Sequence, residues 1–102
     1  MAKGSNRPAT LEQAFGQIVI AHRDRLGLSQ MDLAVATGYS LRYVGDIERG
    51  MMSATLRTMN DLATLFDMRL GVLITEAEGL LMAKRRENTS PSAGKGRSRR
   101  QA

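Results

Sequence analysis

The chain has 102 residues, enough for one modest core with tails and too few for two domains. No run approaches the roughly 20 apolar residues of a membrane span, and the absence of cysteine excludes disulfides and thiolate metal sites. The formal net charge of +5 resides in the C-terminal end, since Lys84 to Ala102 holds seven Lys or Arg against one Glu while residues 1–83 carry a net charge of −1.

A basic tail attracts nucleic acid or acidic membranes loosely and in a salt-sensitive way, so it names no specific partner. The polar opening MAKGSNRPAT lacks the apolar stretch of a signal peptide, and a cytoplasmic location is expected. Residues 1–9 have no periodicity and are expected to form a disordered arm. Residues 84–102, a basic segment, are expected to form a disordered tail, because the end of the chain has no apolar side chain larger than Ala to offset ordering entropy. Residues 10–83 between them make one domain.

Thr10 opens the first helix, with Gln13 three residues on as a capping box. Leu11, Ala14, Phe15, Ile18, Val19 and His22 then recur at helical spacing until Gly27. Ser29 caps a second helix with Asp32 at its third position, and Gly38 supplies the left-handed stop. Ser40 caps a third helix, Leu41 to Arg49, closed by Gly50. Thr55 caps a fourth, whose apolar face is Leu56, Met59, Leu62, Ala63, Leu65 and Phe66. After it, Met68, Leu70, Val72 and Ile74 alternate as one side of a strand, and Gly71 with the β-branched pair favours that reading over a fifth helix through Leu70, Leu73 and Ile74. Such a strand has no partner in this chain and would pair with its copy in a second subunit. Thr75 would then cap a short last helix to about Arg86, with Leu80 and Leu81 inward.

The informative unit lies within residues 29–49. Two short helices joined by Gly38-Tyr39-Ser40 must cross steeply. Ala34 is small where they approach, and Val44 and Ile47 point to the core. Leu41, Arg42, Gly45 and Asp46 are left on a free face narrow enough for a major groove about 12 Å wide, with Ser40, Leu41 and Arg42 leading.

In these residues the chain resembles the Cro/C1-type (XRE) helix-turn-helix family of phage repressors and small regulators. The likeness runs from about Phe15 to Ile74, through RDRLGLSQ, Leu33-Ala34, Gly38-Tyr39-Ser40, Tyr43-Val44, Asp46-Ile47-Glu48-Arg49-Gly50 and Thr55-Leu56-Arg57-Thr58. It implies an all-α, compact four- to five-helix, lambda-repressor-like domain. By the same resemblance Gln30 matches a position that holds a backbone phosphate, as suits an amide at a helix N-terminus. Leu41 and Arg42 match base-reading positions, Arg42 toward guanine O6 and N7 and Leu41 toward a thymine methyl. Asp46 matches a further groove-facing position, able to accept from a cytosine amine or to orient Arg42. Tyr43 matches a tyrosine whose hydroxyl can reach phosphate, and Arg23 and Glu48 match a structural ion pair. The loop Met51-Met52-Ser53-Ala54 departs from the family by lacking charge, so phosphate contact there falls to main-chain N–H groups and Arg57, with the tail as a supplement.

Plainer roles compete. Arg42 can be a solvated helix arginine, Gln30 a helix-start side chain, Asp46 a structural charge and the tail a bare extension. His22 reads as a packing residue, and one His without Cys offers no transition-metal site. No nucleophile with its base, no Gly-rich phosphate loop and no carboxylate pair point to an enzyme or a cofactor. The expected partners are a double-stranded operator DNA and a second copy of the chain, joined through residues 66–82. The expected role is a dimeric repressor or autoregulator. The alternative is an antitoxin of HipB-like type that binds a toxin and its own promoter, supported by the strand over Met68–Ile74. A restriction–modification controller is a further option within the regulator class.

Overall fold

The computed structural model describes residues 8–88, with side chains as far as Lys84. It contains helices α1 (Leu11–Arg25), α2 (Gln30–Thr37), α3 (Leu41–Glu48), α4 (Leu56–Leu65) and α5 (Leu70–Asn88), and no strand among the described residues. The first four begin where a hydroxyl side chain stands ready. Thr10, Ser29, Ser40 and Thr55 each adopt extended backbone and accept a hydrogen bond from the N–H three residues on. Each satisfies one of the donors that a helix start leaves open. Ser29 and Asp32 form the full reciprocal box. At α1 the second half is displaced by one residue, because Gln13 Oε1 accepts from Ala9 N–H at 2.7 Å rather than from Thr10.

The core draws on all five helices. Ala14, Phe15 and Val19 from α1 meet Leu33 and Ala34, Val44 and Ile47, Leu62 and Ala63, Phe66, and Leu73, Ala77 and Leu81. Fully buried side chains such as Leu33, Leu73 and Val19 each contribute about 1.5–3 kcal/mol of transfer free energy. Two glycines fix the geometry around the motif. Gly38 sits at φ 83° and ends α2 so that α3 can begin almost at once. Gly16 lets α1 lie against the end of α3, where an added Cβ would collide with the main chain of Ile47 and Glu48.

The segment after Phe66 corrects the strand expectation. Asp67 takes a left-handed φ of 59°, and Met68 N–H returns to Ala63 O at 2.9 Å. The chain turns there and enters α5 at Leu70. A strand would have buried Val72 beside Leu70 and Ile74 and turned Leu73 away. In the helix Leu73 is fully buried while Val72 is 45% exposed. The burying spacing is Leu73, Ala77 and Leu81, a period of four rather than two. Thr75 caps nothing; it lies inside α5 and donates to Gly71 O at 2.7 Å. With a helix in place of the strand, the feature that supported the HipB-like antitoxin alternative is not there.

α5 runs on past Lys84 to Asn88, into the segment read as tail, and the rest of the tail and residues 1–7 lie outside the described residues. No helix among the described residues is long and apolar enough to cross a membrane.

Candidate nucleic-acid interface

α3 carries two faces. Val44, Ile47 and Glu48 are buried against α1 and α2, whereas Leu41 and Arg42 are exposed. Ser40 holds the start of the helix, its Oγ accepting from Tyr43 N–H at 3.0 Å. A hydroxyl that accepts in this way still has a proton to donate outward. Leu41 leaves 43% of its surface open at the tip, and the Arg42 side chain is 90% exposed, so both can reach a groove without rearranging the core. Asp46 lies one turn on and is mostly covered, its Oδ2 3.9 Å from Nε of the solvated Arg42, a loose pair.

Behind this face is a buried polar clamp. The Glu48 side chain is 2% exposed, and Arg23 grips it with two bonds, Nε to Oε2 at 2.7 Å and Nη2 to Oε1 at 3.0 Å. This is the bidentate fork expected of a guanidinium and a carboxylate. Its hydrogen bonds raise the Arg23 pKa, against the burial that lowers it. Arg23 Nη1 also donates to Leu28 O at 2.9 Å. The ion pair therefore joins α1, the α1–α2 turn and the end of α3. Gln30 enters the same cluster, donating from Nε2 to Glu48 Oε1 at 2.8 Å. The side chain matched to a phosphate position is thus anchored from behind.

Tyr43 is half-buried, and its hydroxyl shares a hydrogen bond with Thr58 Oγ1 at 3.1 Å. Its ring meets Tyr39 edge-on at 5.3 Å, and Tyr39 donates to Asp61, whose carboxylate holds the phenol above its usual pKa. The two tyrosines tie the α2–α3 turn and α3 to α4. Arg57, exposed on the first turn of α4, adjoins the Thr58 that Tyr43 reaches. His22 packs as expected, stacked on Phe66 at 5.4 Å with Nε2 2.6 Å from Glu76 Oε1.

Two residues of this face have more structure than their spacing suggested. Gly45, read as part of the open face, is covered by the Arg49 guanidinium. Arg49 itself, which ends α3, donates from Nη2 to Asp46 Oδ1 at 2.6 Å. The available signal was its register, three residues after Asp46 and seven after Arg42, on the same stripe of the helix.

The helix-turn-helix family profile matches residues 19–73. Among solved structures, the clp gene regulator ClgR of Corynebacterium glutamicum shares the fold. One crystal structure has 21% identity and a TM-score of 0.73, covering 80% of this chain and 86% of that one. A second has 23% identity and a TM-score of 0.67, covering 74% and 95%. The restriction–modification controller protein C.AhdI of Aeromonas hydrophila is 37% identical with a TM-score of 0.58, covering 61% of this chain and 94% of that one. No curated protein matches the chain.

Proposed function

The chain belongs to the Cro/C1-type helix-turn-helix family of DNA-binding regulators, and from that premise we propose that it acts as a homodimer on an inverted-repeat operator. Each copy lays α3 in the major groove of one half-site and blocks transcription by occupancy. The carrying observation is the divided character of α3: a freely exposed Leu41 and Arg42 at its tip, braced from behind by the buried Arg23–Glu48–Gln30 cluster. In this reading Arg42 forks onto guanine and Leu41 covers a thymine methyl, while Asp46 orients arginine or accepts from cytosine. Gln30, Ser40, Tyr43 and Arg57 hold phosphates and set the register.

The proposed dimer contact lies on the 66–82 stretch, where Ile74 and Ala77 of α5 line an apolar groove of about 380 Å³ together with Leu11, Phe15, Leu56 and Met59. A dimer closed over that groove would have to hold two recognition helices about 34 Å apart, the spacing of successive major grooves on one side of the duplex.

Selection of bound duplexes from a random pool tests the proposal. The expected result is an enriched inverted repeat with half-sites roughly one helical turn apart. A folded protein that enriches no sequence overturns it. A restriction–modification controller is a second reading within the regulator class, favoured by the likeness to C.AhdI. It predicts that the selected operator lies upstream of the chain's own gene beside a restriction endonuclease gene.

A further inference from the structure

Arg49 closes α3 without having any part in the core, and its position is specific. The guanidinium does not extend away from the helix end. It folds back toward the N-terminus until Nη1 would lie 3.1 Å from a Cβ added at Gly45. Asp46 holds it there through the 2.6 Å bond to Nη2. Helical side chains lean toward the N-terminus, so a residue covers the turn before its own. Arg42, Asp46 and Arg49 stand in one stripe, spaced by four and three residues, and the missing side chain at Gly45 makes the seat for the planar group. The Arg49 side chain remains 60% exposed, against 20% for Asp46.

We propose that Arg49 is a second base-reading side chain of the interface, directed at a guanine edge, and that Asp46 is its positioning residue. The inference rests on the operator-reading proposal above. One physical argument favours a base over a phosphate. The carboxylate of Asp46 beside the guanidinium repels a phosphate anion, whereas the neutral guanine edge with its O6 and N7 acceptors meets no such penalty. A guanidinium also has five N–H donors in a fixed fork, so the bond from Nη2 to Asp46 leaves donors for two acceptors. A hydrogen-bonded carboxylate is the device that keeps such a fork in one orientation before DNA arrives, which lowers the ordering cost on binding.

The roles divide by position along the groove. Arg42 reaches out from the tip with only a loose partner and adapts to what it meets. Arg49 is fixed over the middle of the helix and demands its base. Gly45 belongs to the same device, because a methyl there must push the guanidinium aside by a few tenths of an ångström. That shift costs the fold little, since the group displaced is the far end of a flexible side chain.

The test uses the full chain as wild type and as Arg49→Ala, Arg49→Lys, Gly45→Ala and Asp46→Asn, with random-pool selection followed by competition on single-base variants of the wild-type operator. Thermal melts accompany each variant and should remain near wild type. The expected result is that Arg49→Ala loses preference at one base pair of each half-site by about tenfold or more, with the remaining positions unchanged. Arg49→Lys keeps the charge and not the fork, so it should fail to restore that preference. Gly45→Ala should relax the same base pair. Asp46→Asn should relax it too while strengthening nonspecific binding, a combination that a merely structural role would not give. Should Arg49→Ala select the same operator with every preference intact, at equal or uniformly weaker affinity, Arg49 reads no base and the inference is overturned. Failure of the wild type itself to select any sequence would instead remove the operator reading beneath it.

Discussion

Glu48 ties the end of α3 to two other helices, through Arg23 of α1 and Gln30 of α2. It is buried at 4% exposure and neutralised by Arg23, and it also holds Gln30. Removing one partner of a buried pair leaves an uncompensated charge, so Glu48→Ala should lower stability by about 3 kcal/mol or more in a denaturant titration. A loss below about 1 kcal/mol would mean that water already solvates the cluster. The pair Arg23 and Glu48 was legible through the family resemblance, because the two stand far apart in sequence and no local spacing joins them. The bond from Gln30 to the same carboxylate and the folded-back Arg49 were not legible, since both depend on rotamers that tertiary neighbours choose. Two of the residues proposed to hold phosphate separate by charge. Arg57→Ala should weaken DNA binding evenly across sequences and reduce the slope of log K against log salt by about 0.9. Gln30→Ala should weaken binding with no change in slope, because an amide displaces no counterion. Equal slopes for Arg57→Ala and wild type would remove Arg57 from the phosphate contacts.

At the scale of the element, helix starts were the most legible feature and the last helix the least. A cap needs a hydroxyl and an amide three residues later, which is local chemistry, and Thr10, Ser29, Ser40 and Thr55 all behave that way. α5 has no hydroxyl at its start, and Leu70 to Ile74 satisfy a period of two as well as one of three to four. Only the core decides between them, by taking Leu73 and rejecting Val72. The caps also carry a pH dependence. The Asp32 carboxyl lies below its usual pKa because Ser29 N–H donates to its charged form. Glu12 is lowered likewise, by backbone hydrogen bonding and by Ser53 Oγ at 2.9 Å. For a depressed folded-state pKa, the stabilisation is present above the unfolded value of about 3.9 and is lost as pH falls through the folded one. Asp32→Asn should therefore melt below wild type at pH 7, and the two melting temperatures should converge as pH drops below about 4. Parallel curves down to the acid limit would show that the ionised box contributes nothing to α2.

Over the whole molecule the charges are segregated. The body up to residue 83 is close to neutral, and the excess lies from Lys84 onward, including Lys95, Arg97, Arg99 and Arg100 beyond α5. In the operator-reading proposal, a near-neutral body whose α1 and α5 pack against each other would supply shape, and the exposed stripe of α3 would supply discrimination. Neither supplies much long-range attraction, and the loop Met51 to Ala54 has no charge to help. The cations after Asn88 are then the natural source of the sequence-independent share of affinity, which counterion release makes steeply salt-dependent. If they engage the duplex, a chain ending at Asn88 should select the same operator as the full chain. Its salt slope should fall by as much as about 0.9 for each cation removed, and its association should slow most at low ionic strength. If selection and slope are both unchanged, the tail does not touch DNA, and the phosphate grip must come wholly from Gln30, Ser40, Tyr43, Arg57 and main-chain N–H groups. A changed operator would place the tail among the base-reading parts.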